Sequence, residues 1–322
     1  MTRLAHSELG RNIDDFLVFK RALGYPYHRG EATLRSFQRF AQLASGGQHT
    51  EFDLASTIEA WLKRIARRKP VTIATDLGSI RQLCLHRRRY DPDAFVPDVA
   101  WAPCTESKYQ PYVFSRDEVR SLIEAAGRYQ HRNIWPGMLR MLLLVLYCTG
   151  VRFGEAARLQ LADVDLDRGV LFIRQSKGRS RLVPFRSDLT HEFAGYLHAR
   201  SEMTNDALAA SDAVFVGRNG RAISTRKASE AVRCLLRQLG IKAPRGRAGP
   251  RPYDFRHAFA VHRLTDWYAR GVNIQAQLPW LSAYMGHVNV LGTEDYLHAT
   301  AELLEVASSR FSERVNRVQM EP

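Results

Sequence analysis

DVDLDRGVLFIRQSKGRSRLVPF, residues Asp163–Phe185, is where the hydrophobic period of this chain changes, and that change decides the fold. β-Branched and aromatic residues crowd the stretch, and turn signals break it at Asp167-Arg168-Gly169 and at Lys177-Gly178. Such a pattern specifies three short strands joined by turns, a small antiparallel sheet. Everything around it reads as helix. Upstream, PGMLRMLLLVLYCTG carries few polar residues and stops at Gly150, as expected of a buried central helix. Downstream the helical pattern returns, interrupted by the basic, Gly/Pro-punctuated loop RGRAGPRPYD (Arg245–Asp254) that leads into FRHAFAVHRL. The expected class is mainly α with one small three-stranded antiparallel sheet (α+β).

Working outward, SRDE (Ser115–Glu118) has the spacing of a capping box and opens the domain that holds the sheet. Before it, Asp91–Pro111 carries four prolines and little periodicity, the mark of a linker. From about Asn12 to Arg89, apolar residues recur at helical spacing in four stretches, so a four-helix domain is expected first. The expected division is a helical domain over 1–103, a connector over 104–111 and a second domain over 112–322.

The chain has 322 residues and 45% hydrophobic composition, enough for two cores, and a formal net charge of +14. A surface that basic has a polyanion as its natural counterpart, either nucleic acid or an anionic membrane. No apolar run reaches the roughly 18 residues of a spanning helix, and the first residues contain acids and no apolar signal core, so a cytoplasmic protein is expected. Cys84, Cys104, Cys148 and Cys234 are widely spaced without a CxxC pair, which argues for buried thiols over a zinc site or disulfides. No nucleotide-binding GxxxxGK[ST], HExxH or EF-hand pattern occurs, and His257 and His262 stand five apart, off a shared helix face. No metal or cofactor is expected. Two basic clusters, Lys63, Arg64, Arg67, Arg68 and Lys69, then Arg87, Arg88 and Arg89, end two of the first-domain helices. Each alone reads as a cation completing a helix C-terminus; two together in so basic a chain point to phosphate contacts.

Four islands, TGVRFGEAARL, RQSKGRSRLVPF, YDFRHAFAVHRL and LSAYMGHVNVLGTEDYLH, stand in the order and near the spacing of the tyrosine recombinase (phage integrase) family. The chain resembles that family's catalytic domain from about Pro111 to Arg317, and its first domain resembles the family's helical SAM-like core-binding domain in general shape. The resemblance implies double-stranded DNA as substrate and a tyrosine that attacks a phosphodiester, leaving a 3′-phosphotyrosyl link and a free 5′-hydroxyl. Tyr296, nine residues after His287, matches that tyrosine; the other tyrosines among the twelve are expected to pack or hydrogen-bond. Forming a phenolate at pH 7 costs about 4 kcal/mol, so the site needs cations. Arg152 and Arg256 match the family's arginine pair, whose forked donors suit the non-bridging phosphate oxygens. Lys177 matches the lysine that protonates the leaving 5′-oxygen, although a plain turn lysine fits the local sequence as well. His287 matches a phosphate-binding histidine, where a cap or core histidine is the ordinary alternative. Glu155 matches an accessory acid able to orient Arg152, and His257 a supporting histidine. Arg179, Arg181, Arg245, Arg247 and Arg251 join the two basic clusters as candidate DNA contacts.

Two departures stand out. The family usually has His where this chain has Tyr253, and a phenol is a poor base near neutrality, so Tyr253 is expected to donate a hydrogen bond to the phosphate or to Tyr296. The span from Arg256 to His287 is also a few residues longer than usual, and LPWLSAYMGH resembles the subset found in mobile elements. ATAELLEVASSRF, after Tyr296, is amphipathic; it either packs on its own domain or, as the resemblance implies, docks on a neighbour in a DNA-bound tetramer, alone or with related recombinases. Two rivals share the fold: a type IB topoisomerase-like enzyme that needs no paired sites, and a DNA-binding accessory protein of weak catalytic power.

Overall fold

The computed structural model describes residues 7–44, 53–104, 111–176, 179–204, 213–246, 248–287 and 308, with backbone alone at Gln175, Ser176, Arg179 and Thr204. By its contacts the chain divides into two compact units, Met1–Tyr109 and Gln110–Pro322.

Among its described residues the first unit has the helices α1 (Glu8–Ala22), α2 (His28–Ala44), α3 (Leu54–Ile65) and α4 (Pro70–Arg87). Local chemistry sets their starts. Ser7 accepts from the Gly10 amide, Asp53 from the amides of Ala55 and Ser56, and Pro70 occupies a first-turn position of α4 that has no amide to satisfy. Ile13, Phe16, Leu34, Phe37, Ile58, Trp61 and Ile80 form the core. The proline-rich stretch that reads as linker is partly structured. Phe95, Val96, Trp101 and Ala102 pack on this core, because a segment carrying large apolar side chains buries them against the nearest apolar surface.

The second unit begins at α5 (Arg116–Gly127), where Ser115 and Glu118 form the capping box reciprocally. α6 (Pro136–Thr149) is the central helix, with Leu139, Leu142, Leu143 and Val145 fully buried. Gly150 ends it in the left-handed conformation, φ 60°, and a Cβ there would come within 2.2 Å of the Phe259 ring. After the short α7 (Phe153–Ala156) come β1 (Val164–Asp165), β2 (Val170–Ser176) and β3 (Arg179–Pro184), an antiparallel sheet in the order β1-β2-β3. Leu171 pairs with Val183 and Ile173 with Arg181. Leu171, Ile173 and Val183 face the core, and Phe172, Arg174 and Leu182 face outward. Helices α8 (Ser187–Thr204), α9 (Thr225–Gln238), α10 (Asp254–Ala269) and α11 (Ile274–Met285) complete the described part. Of the four cysteines, all free, Cys84 is buried whereas Cys104 and Cys148 are exposed, against the expectation of burial; Cys148 sits on the outer side of α6. Among the described residues no helix is long and apolar enough to cross a membrane, and no group of His, Cys, Asp and Glu is placed to hold a metal ion.

Candidate active site

Three consecutive carbonyls at the end of α11 are each taken by a different arginine. Arg181 Nε donates to Tyr284 O at 2.9 Å, Arg256 Nη2 to Met285 O at 2.7 Å, and Arg152 Nη2 to Gly286 O at 2.8 Å. The last carbonyls of a helix have no partner within it and sit at the negative end of its dipole, so cations settle there. These three come from distant parts of the sequence: Arg152 from the turn between α6 and α7, Arg181 from β3, and Arg256 from the first turn of α10. The end of α11 is therefore the hub to which β3, the α6–α7 turn and α10 are tied.

Each arginine has a second anchor. Arg256 is 1% exposed, and its Nη1 donates to Gly150 O at 2.7 Å. The left-handed turn at Gly150 thus ends α6 and also supplies the acceptor that fixes Arg256. Arg256 Nη2 also lies 2.8 Å from His287 Nε2. A guanidinium only donates, so in this pair Nε2 is the acceptor. Arg152 Nη1 meets Glu155 Oε1 at 2.7 Å, and its backbone amide meets Oε2 at 2.8 Å. Arg181 reaches both oxygens of the same carboxylate, Nη1 to Oε1 at 3.1 Å and Nη2 to Oε2 at 2.8 Å. The Glu155 side chain is 2% exposed, so the charge is buried and needs these partners. Gly286, at φ 72°, turns the chain out of α11 toward His287, whose amide donates back to Ser282 O at 3.0 Å. Beside the hub, burial pushes the Tyr284 phenol up to about 12, and its hydroxyl donates to Pro184 O at 2.9 Å.

Arg152, Glu155, Arg256 and His287 are thus brought together. Tyr253 precedes the first turn of α10 and is exposed, its ring edge-on to His257 with centroids 5.1 Å apart. His257 Nε2 lies 4.0 Å from Asp254 Oδ1, and Asp254 also receives the Arg251 amide at 2.7 Å. Lys177, Arg247 and Tyr296 lie outside the described residues, as does the segment ATAELLEVASSRF apart from Ser308. Of the candidate DNA contacts, Lys63, Arg64, Arg67, Arg68, Lys69, Arg88, Arg89, Arg245 and Arg251 are exposed. Arg68 is engaged by the buried Asp76 at 2.9 Å, and the half-buried Arg87 by Glu8 at 3.2 Å. Arg181 is different. A candidate DNA contact by sequence, it lies inside the hub with its side chain 13% exposed, because strand parity puts it on the inward face and Glu155 is there to receive it.

Sequence reasoning also passed over the Gly150 carbonyl. The signal available was a glycine at a helix end, which gives the turn but not where its oxygen points.

Comparison with known proteins gives the family of the chain. Residues 113–302 match the model of the phage integrase family. An integrase/recombinase-named protein of Sinorhizobium fredii (strain NBRC 101917 / NGR234), y4rB, is 33% identical over 307 residues, covering 94% of this chain and 96% of that one. The tyrosine recombinase XerA of Thermococcus kodakarensis is 32% identical over 201 residues, 62% of each chain. Among solved structures, the Tn1549 transposon integrase in complex with circular intermediate DNA shares the fold with a TM-score of 0.66 at 16% identity, covering 94% of this chain and 99% of that one. With the family model spanning more than half its length and a relative matching it nearly end to end, the chain belongs to the phage integrase family of tyrosine recombinases.

Proposed function

We propose that this protein is a site-specific DNA recombinase that cuts and rejoins strands through a 3′-phosphotyrosyl intermediate. The Tyr296 oxygen attacks the phosphorus as its phenolic proton passes to water or a neighbouring group, the bond to the 5′-oxygen breaks, and that oxygen leaves as a hydroxyl with a proton from Lys177. A 5′-hydroxyl of the partner duplex then attacks the phosphotyrosyl ester and gives its proton back to Lys177, and the phenol departs with a proton returned from water or the neighbouring group. The phosphodiester energy is kept throughout, so no nucleotide is consumed.

Arg152 and Arg256 bind the non-bridging oxygens as negative charge builds on them, and His287 adds a contact to the same phosphate. Glu155 sets the plane of Arg152. Tyr253 donates to the phosphate or to Tyr296, and His257 supports it. Tethering the arginines to carbonyls before DNA arrives spares reorganisation at the moment of reaction, which is where such electrostatic catalysis gains most. The single observation that supports this reading best is the convergence of Arg152 and Arg256 on Met285–Gly286, one residue before His287 and ten before Tyr296. Residues 1–103 serve as the core-binding domain, 104–111 as the connector and 112–322 as the catalytic domain. The substrate is double-stranded DNA in the cytoplasm, and the working form is a tetramer on paired sites, alone or with related recombinases.

The test uses a pool of nicked duplexes of randomised sequence, from which a cleaved short strand diffuses away and traps the adduct. Wild-type protein is expected to retain DNA through denaturation, and Tyr296→Phe to retain none. Relaxation of any supercoiled plasmid would favour a topoisomerase, and gel retardation without an adduct an accessory protein.

A further inference from the structure

Arg181 has no role in the chemistry above, yet it makes more contacts in the hub than a bystander would. Its Nη1 and Nη2 hold the two oxygens of Glu155, and its Nε holds Tyr284 O. Glu155 Oε1 is thereby shared between Arg152 Nη1 and Arg181 Nη1, and Oε2 between the Arg152 amide and Arg181 Nη2. The sharing matters electrostatically. A carboxylate this buried, facing Arg152 alone, would cancel the charge that a phosphate needs and draw the whole fork toward itself. With two guanidinium groups around one carboxylate, the cluster keeps a net positive charge, and Glu155 engages the Arg152 guanidinium through Nη1 while Nη2 goes to Gly286 O.

The second consequence is mechanical. Arg181 fixes Tyr284 O from β3 while Arg152 fixes Gly286 O from the other side, so β3, α7 and the end of α11 form one rigid unit. The fit leaves no slack: a Cβ on Gly286 would lie 2.8 Å from Arg181 Nη1. The guanidinium lies flat against the turn that delivers His287.

We infer that Arg181 is a positioning residue of the recombinase reaction, which holds Glu155 and the Tyr284–Gly286 turn so that Arg152 and His287 present themselves to the scissile phosphate. It acts through these neighbours and makes no DNA contact of its own. This rests on the recombinase reading of the same site.

Arg181→Lys and Arg181→Met are compared with wild type on one trapped duplex, reading the single-turnover cleavage rate, the dissociation constant, its salt dependence and the melting temperature. Cleavage is expected to fall about 10- to 100-fold, as for other supporting partners of a reactive group, with lysine retaining more than methionine. The dissociation constant is expected to stay within about twofold and the salt slope unchanged, since no phosphate contact is removed. A weaker dissociation constant with the salt slope reduced by about 1 would make Arg181 a DNA contact and overturn the inference. So would a lowered melting temperature with full cleavage by the folded protein. If Arg181→Met does not fold, Arg181→Lys decides alone, because it keeps the cation while losing the fork. Absence of cleavage by wild type sinks the recombinase reading, whereas normal wild-type cleavage matched by Arg181→Lys sinks only the positioning role.

Discussion

Gly286 shows what the site demands of single residues. Its φ of 72° is one that a side chain resists by about 1–2 kcal/mol, and Arg181 fills the space a methyl would need. Gly286→Ala is therefore expected to slow cleavage by displacing Arg181, and to lower the melting temperature. Arg256→Ala removes a guanidinium proposed to hold the phosphate, and is expected to cost about 10²–10³ in cleavage rate, the scale of losing one preorganised donor. Tyr253 carries a smaller claim. A net hydrogen bond is worth about 0.5–1.5 kcal/mol, so Tyr253→Phe is expected to cleave about 2- to 10-fold more slowly, and an unchanged rate would leave its hydroxyl without a role. The motifs made Arg152, Glu155, Arg256 and His287 legible, because ordered islands survive in sequence. Arg181 was open to a different argument. It stands two residues before the inward-facing Val183, so it shares the buried face, and a cation there requires an acceptor. Its partner Glu155 is 26 residues away, a distance across which periodicity carries no information.

At the scale of elements, local rules read well and long-range ones did not. The change of period at Asp163 marked the sheet, Ser115 and Glu118 marked the start of α5, and the apolar run marked α6, since each signal is contained within a few residues. The anchoring of α11 to β3, α7 and α10 depends on folding the chain back on itself, which no local pattern encodes. α6 holds the second unit together, so Leu142→Ala, at a site with no exposure, is expected to lower the stability by about 2–5 kcal/mol, read from the denaturant midpoint. The contact of α11 with β3 has a pH signature. Burial raises the Tyr284 phenol from 10.0 to about 12 in the folded protein. Its contribution is complete below the unfolded value and is lost as the pH rises from about 10 to about 12. The melting temperature is expected to fall across that window, and Tyr284→Phe to flatten that part of the fall.

For the whole molecule, the charge of +14 sets how DNA is held. Binding through 6–10 phosphate contacts loses about 10³–10⁵ in affinity between 50 and 200 mM salt, and a titration by fluorescence anisotropy is expected to show a loss of that order. Neutralising exposed Arg64 and Arg67 together would lower that slope, whereas Arg181→Lys would not. The covalent link through one phenolic oxygen can be read from the protein itself. Trapped complexes are digested with nuclease and protease, and the peptide that carries the nucleotide is sequenced by mass spectrometry. A 3′-nucleotide phosphate is expected on Tyr296 and on no other residue; a nucleotide on any other tyrosine, or on a serine, would rule out the proposed nucleophile.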